Sequence, residues 1–215
     1  MPLEYSIASN AEQLEKFGYL YIPELVSRNE CAELIEGLPA LPGAGTRRLL
    51  EQPRYQDLAK SLRSSPSLQF ALDGLIAVQA ILFHKTADIN WYLRIHSDSI
   101  FPIRGQGNWR SAGIKEELPY VRVPRDQVAG FVAVRVCLDD AAEGDLFVEP
   151  GTHWPYNKMM GDRVIVPASL GSVLVLNPSL RHASNRFLES QARRVIHFVF
   201  APPTLPDSYT WCHAV

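Results

Sequence analysis

Two of the six histidines stand in contexts that suit a metal ion. His96-Ser97-Asp98 sets an imidazole and a carboxylate two residues apart. On extended backbone, side chains at i and i+2 share a face, so both can reach one ion at a strand end. His182 follows 86 residues later, beyond an apolar stretch at Ser172 to Leu176. A neighbouring strand brings such a residue beside the first pair. The product is a 2-His-1-carboxylate triad, which holds Fe(II) on one face and leaves positions open for substrate and O2. The plainer alternative makes His96 a strand-end residue hydrogen-bonded by Asp98, with His182 on a loop.

A second group follows. Arg193 stands eleven residues after His182, and Ser184 two residues after it. If a turn joins two neighbouring strands here, Arg193 returns beside the metal site. Its guanidinium can grip a carboxylate by two parallel, charge-assisted hydrogen bonds, and Ser184 can add a hydroxyl donor. A small dicarboxylate would then chelate the metal at one end and meet Arg193 at the other. Strand alternation lets only one of Arg193 and Arg194 point inward. The alternative is a solvated strand start.

The elements that must position these residues are legible in part. Ser9-x-x-Glu12 and Ser27-x-x-Glu30 fit the capping box, predicting helices that begin there. The first helix should stop at Gly18, and Tyr19 to Ile22 reads as a short strand ended by Pro23. The second helix carries Cys31, Leu34 and Ile35 inward at helical spacing. Pro39 to Gly45 reads as a loop, and Arg54 to Leu62 and Ser67 to Leu72 as short helices. Strands are expected at Ala77 to Phe83, Trp91 to Ile95, Phe131 to Leu138, Asp145 to Val148, Ser172 to Leu176 and Arg193 to Phe200. Between them, Ser97 to Gln127 contains three prolines and two early glycines, and reads as a long loop, a candidate lid. Short strands behind a helical section argue an antiparallel β-sandwich or barrel.

Composition narrows the partners. The 215 residues favour one domain, and 47% of them are apolar, enough for a substantial core. With 21 basic and 23 acidic residues the chain lacks the basic excess that nucleic-acid binding needs. No apolar run approaches the ~18 residues of a membrane span. Cys31, Cys137 and Cys212 are odd in number and irregularly spaced, which suits reduced thiols and a cytoplasmic protein. The N-terminus, Met1 to Asn10, lacks the pattern of a signal peptide.

At this point the chain resembles the phytanoyl-CoA dioxygenase family. The resemblance runs over most of the chain in the family's order. It rests on Gly18 to Ser27, on Leu82 to Thr86 with Asn90-Trp91, and on His96-Ser97-Asp98. It continues through Val132 to Asp140, Glu149-Pro-Gly-Thr-His153, His182-Ala-Ser184 and Arg193-Arg194. It implies a double-stranded β-helix (a cupin-like jelly roll) with N-terminal helices: residues 1–73 mainly helical and 74–215 the core, with the lid at 97–127. It implies Fe(II) at His96, Asp98 and His182, and 2-oxoglutarate at Arg193 and Ser184, with O2 as the second cosubstrate. The implied activity is oxidation, by default hydroxylation, of an aliphatic C–H in a small organic molecule. Ile95 and Ser97 flank the motif where the family usually has an aromatic residue and Gln, so substrate contacts there should differ. The presence of Asp98 argues against the halogenase variant.

Other residues are given lesser roles. His153 is expected to shape a loop, and His197 to support the pocket or sit in the core. His84 and Lys85 end a strand. Arg135, mid-strand among apolar neighbours, needs a carboxylate partner, from the protein or a cosubstrate. Asp139-Asp140 reads as a solvated turn. Trp91, Phe101, Trp109, Tyr120 and Trp154 are candidates to line a mouth. Two other readings fit the same motifs: a jelly-roll binding protein or metal-independent isomerase, and a zinc hydrolase built on the same triad.

Overall fold

The computed structural model describes residues 7–38, 43–140, 146–155, 159–186 and 192–215. Along the chain come α1 (Ile7–Phe17), β1 (Tyr19–Ile22), α2 (Arg28–Glu36), β2 (Gly45–Thr46), a 3-10 turn (Leu49–Glu51), α3 (Pro53–Ser64) and α4 (Gln69–Leu72). Then follow β3 (Ile76–Lys85), β4 (Leu93–His96), β5 (Ile100–Arg104), β6 (Arg110–Lys115), β7 (Leu118–Arg122) and α5 (Arg125–Val128). The remainder is β8 (Val132–Cys137), β9 (Leu146–Glu149), β10 (Val164–Ile165), β11 (Val173–Leu176), β12 (Arg181–Ser184), β13 (Arg193–Ala201) and β14 (Thr210–Trp211).

The strands form a double-stranded β-helix. The major sheet has the order β1-β11-β8-β13-β3-β2 and the minor sheet β10-β9-β12-β4, all antiparallel. Alternation along β13 divides its side chains. Ile196, Phe198 and Phe200 face the helices and pack with Cys31, Leu34, Tyr55, Leu58 and Leu62 of α2 and α3. Burying each such large apolar side chain stabilises the fold by roughly 1.5–3 kcal/mol. On the opposite face, Arg193, Val195 and His197 look toward the minor sheet, while Val199 and Ala201 pack against a third sheet. Between the two sheets, Ala133, Leu174 and Leu176 of the major one pack with Leu146 and Val148 of the minor one.

The Ser27 box forms as expected: Glu30 N–H donates to Ser27 Oγ (3.2 Å) and Ser27 N–H to Glu30 Oε2 (2.9 Å). The Ser9 box does not define a helix start, because α1 is already under way at Ile7. Gly18 ends α1 at φ +80°, with its N–H bonded to Leu14 C=O at 2.8 Å. Of the expected loop at Pro39 to Gly45, residues 39–42 lie outside the described residues, and Gly45 belongs to β2. Asp145 also lies outside them; its strand is seen from Leu146.

The segment 97–127, expected as a long loop, is instead folded. β5, β7 and β6 form a third antiparallel sheet with β14, and α5 follows. Phe101, Ile103, Val121 and Trp211 of this sheet pack on Val78, Val199 and Ala201 of the major sheet. Pro102, Pro119 and Gly113 disguise its strands. The β6–β7 hairpin turns at Glu116 (φ 48°) and Glu117 (φ 65°), positions that favour Asn-Gly in sequence. Their cost is offset by contacts to β2 and the residues after it. Thr46 Oγ1–H and Arg47 N–H each donate to Glu116 Oε2 at 2.8 Å, and Arg48 pairs with Glu117 at 2.6 Å.

Candidate metal centre

β4 and β12 are direct neighbours, and His96 is the register partner of His182. Their rings lie 4.4 Å apart between centroids. Asp98 follows the end of β4, with its backbone N–H bonded to Pro178 C=O at 2.8 Å. Ser97 Oγ–H donates to Ser179 C=O at 3.0 Å. These two bonds tie the His-x-Asp segment to the chain just ahead of β12. The start of β12 is itself pinned. Arg181 N–H donates to Thr152 Oγ1 (2.9 Å), whose hydroxyl donates to Glu149 C=O (2.7 Å). The Pro150-Gly151-Thr152-His153 turn thus fixes the strand that carries His182. His153 faces away from the metal centre, its Nε2 meeting Glu15 C=O at 2.9 Å.

The trio converges. One donor atom from each of His96, Asp98 and His182 lies within 4.8 Å of the others. His96 Nε2 is 3.5 Å from Asp98 Oδ1, and His182 Nε2 is 3.8 Å from Asp98 Oδ2. Each ring's Nδ1 is bonded to a backbone carbonyl, Arg94 for His96 (2.8 Å) and Leu180 for His182 (2.9 Å). Nδ1 must donate there, which leaves a lone pair on Nε2 of each neutral ring. Two nitrogen lone pairs aimed at a carboxylate repel one another unless a cation lies among them. The donor set therefore fits a divalent transition metal. His182 is buried while His96 and Asp98 are only half-buried, so the trio is open on one side.

Electrostatics agree with a cation site. Burial works against the charged form of Asp98, yet the His96 hydrogen bond and the nearby imidazoles hold its carboxyl well below the usual range. Burial likewise opposes the His96 cation, but Asp98 outweighs it and raises the pKa. Burial lowers the pKa of His182 against the pull of Asp98.

A third imidazole joins from the major sheet. His197 on β13 points inward, with Nε2 3.6 Å from Asp98 Oδ2. Burial pushes its pKa down to about 3. Its Nδ1 is buried with no hydrogen-bond partner among the described residues. The spacing Arg193, Val195, His197 already places it on the face of Arg193. Its meeting with Asp98 depends on how the two sheets stack.

Arg193 starts β13, buried, and lies directly opposite Lys85, also buried. Lys85 Nζ–H donates to Ser184 Oγ at 2.6 Å and to Asn185 C=O, and lies 5.2 Å from the Trp91 ring centre. Arg193, Ser184 and Lys85 are thus gathered at one end of the space between the sheets. Cations directly opposite in a sheet repel, so such a row favours an anion nearby. The sequence alone gives Lys85 no such place, because its register against Arg193 joins strands about a hundred residues apart. The segment 187–191 between β12 and β13 lies outside the described residues. Arg194 points the other way, with Nε bonded to Asp139 Oδ2 at 2.8 Å. Asp139 is therefore a pairing residue rather than a solvated turn. Asp140 accepts from Leu170 N–H at 2.8 Å.

The expected aromatic mouth is mostly core. Phe101 and Tyr120 are buried, and Trp109 stacks on Tyr209 at 4.6 Å. Trp91 touches the site through Lys85, and Trp154 is exposed. Trp154 borders a groove of about 920 Å³ among α1, α4 and α5, also lined by Leu14, Phe70 and Phe131. None of His96, Asp98, His182, Ser184 or Arg193 lines that groove.

No protein-family model and no curated protein matches the chain. Solved structures do. The non-heme alpha ketoglutarate dependent epimerase SnoN from nogalamycin biosynthesis is 17% identical, with a TM-score of 0.70 over 92% of this chain and 83% of that one. HygX from Streptomyces hygroscopicus, with nickel and 2-oxoglutarate bound, is 19% identical, with a TM-score of 0.66 over 94% and 89%. AviO1 from Streptomyces viridochromogenes Tue57 is 21% identical, with a TM-score of 0.61 over 94% and 98%. At these identities the likeness establishes the fold. Among the described residues, no helix is long and apolar enough to cross a membrane.

Proposed function

We propose that this chain is a non-haem Fe(II) oxygenase that uses 2-oxoglutarate and O2 to oxidise an aliphatic C–H bond of a small organic molecule, by default through hydroxylation. The observation that carries the proposal is the convergence of His96 Nε2, His182 Nε2 and an Asp98 oxygen, with both Nδ1 atoms committed to backbone carbonyls. The solved neighbours support it. HygX has been seen with nickel, 2-oxoglutarate and hygromycin B, and SnoN with Fe3+, alpha ketoglutarate and nogalamycin RO. The ordered motifs resembling the phytanoyl-CoA dioxygenase family support it further, and a natural product is the substrate class the neighbours suggest.

When bound, Fe(II) and 2-oxoglutarate supply oxidative decarboxylation by O2, which yields succinate, CO2 and an oxidant for the substrate. The chain's own residues do the rest. His96, Asp98 and His182 hold the metal on one face, and carbonyls 94 and 180 fix the ring orientations. Arg193 and Ser184 receive the far carboxylate of 2-oxoglutarate, with Lys85 fixing the Ser184 oxygen. The core between the sheets excludes water on the buried side.

The test is uncoupled turnover. Purified chain, Fe(II), 2-oxoglutarate and O2 are expected to give succinate, and His96→Ala and Arg193→Ala should each lose it. A zinc hydrolase or a binding protein would show no such turnover in any form, and that result would remove the proposal.

A further inference from the structure

The inward face of the major sheet is laid out in rows, because directly opposed residues of antiparallel strands share a face. The first row is Lys85 and Arg193. The second is Phe83, Val195 and Cys137. The third is Ile81, His197, Arg135 and Leu174. Charge stands at both ends and apolar surface between. The minor sheet matches this layout, with Ser184 meeting Lys85 in the first row and His182 sharing Asp98 with His197 in the third.

Arg135 is the residue of the third row that the proposed function does not use. It is buried, and its guanidinium carbon lies 5.8 Å from the Phe83 ring centre, so it leans toward the middle row. The His197 ring meets the same Phe83 edge-on at 6.1 Å. The Arg135 charge acts on both His182 and His197, pressing each toward its neutral form. A planar fork at this place suits a carboxylate.

We propose that Arg135 is a second carboxylate-binding residue of the site, pairing with the metal-end carboxylate of the 2-oxo diacid while Arg193 takes the far one. The Phe83 row then lies along the hydrocarbon between the two carboxylates. This rests on the 2-oxoglutarate reading above.

The experiment compares two ligands of equal chain length on the Mn(II)-loaded full chain by calorimetry: 2-oxoglutarate and 2-oxopentanoate, which lacks the far carboxylate. Arg193→Met should remove the preference for the diacid. Arg135→Met should weaken both ligands by the same factor, roughly 10–100-fold for a lost charge-assisted hydrogen bond, leaving the preference unchanged. Mn(II) affinity measured first on each variant checks that the centre is intact. If Arg135→Met no longer holds Mn(II), Arg135→Lys is read in the same way, since it keeps the charge and loses the fork. Unchanged affinities with Mn(II) bound would overturn the inference, making Arg135 a packing residue. Weakening of the diacid alone would also overturn it, by moving Arg135 to the far carboxylate. If the unmodified chain binds neither ligand, the proposed function fails first, which is a separate result.

Discussion

His96 and His182 face each other directly across β4 and β12, with ring centroids 4.4 Å apart and each Nδ1 held by a backbone carbonyl two residues earlier. Neither ring needs to turn to present Nε2 to the shared centre. Removing either ring by His96→Ala or His182→Ala should therefore cost more than an outer-shell change, which typically weakens metal binding 10–100-fold. Calorimetric titration with Mn(II) measures it. Retained affinity in both variants would show that the ion sits elsewhere.

Acid should weaken the apo-protein. The His197 pKa is pushed down to about 3 from an ordinary 6.5 and that of His182 is also lowered, so the unfolded chain binds more protons than the fold below 6.5. Stability then falls as pH drops from 6.5 toward 3, and the depressed Asp98 carboxyl adds to the loss at the acid end. His96 acts oppositely. Its raised pKa contributes stability that is present below 6.5 and lost above its folded value. Burial lowers His84, His153 and His213 as well, so five lowered imidazoles against one raised give a net loss in acid, and His197→Gln should make it shallower. Urea unfolding across that pH range reads the slope.

The two adjacent arginines of β13 should separate binding from stability. Arg194 makes a two-pronged pair with Asp139, each side chain less than a quarter exposed. Arg194→Ala removes the guanidinium and leaves Asp139 only the backbone N–H of residue 194 (2.7 Å), a loss of about 1.5–3 kcal/mol for a hydrogen bond to a charged group. It should leave 2-oxoglutarate affinity unchanged. Arg193→Ala should do the reverse in binding, weakening 2-oxoglutarate while the metal stays. Equal effects of both variants on binding would contradict the inward assignment of Arg193.

Alternation lets only one of Arg193 and Arg194 face inward, and the family-like spacing selects Arg193; the Ser27 box and the Gly18 stop are legible because each is a local rule. What lay hidden depended on register between distant strands. Lys85 meets Arg193, and His197 meets Asp98, only once β3, β13 and the two sheets are stacked. The sheet within 97–127 was hidden for another reason. Its strands carry Pro102, Gly113 and Pro119, and its turn uses two glutamates held by Thr46, Arg47 and Arg48.

Gly18 tests the frame apart from the chemistry. It takes φ +80°, and a Cβ there would come within 2.4 Å of His153 Nδ1. Gly18→Ala should destabilise the fold by about 1–3 kcal/mol through left-handed backbone strain, with the clash adding to it. Mn(II) affinity should survive, since His153 holds α1 rather than the ion. A variant as stable as the original would mean that His153 moves freely aside.

The most direct measurement is an anaerobic titration of the apo-protein with Fe(II) and then 2-oxoglutarate, watched for the weak visible charge-transfer band of the chelate. A band that appears with the unmodified chain and is lost in Arg193→Ala is the expected result. Iron binding without the band would leave a metal centre of another class, and no iron binding at all would contradict the assignment of His96, Asp98 and His182.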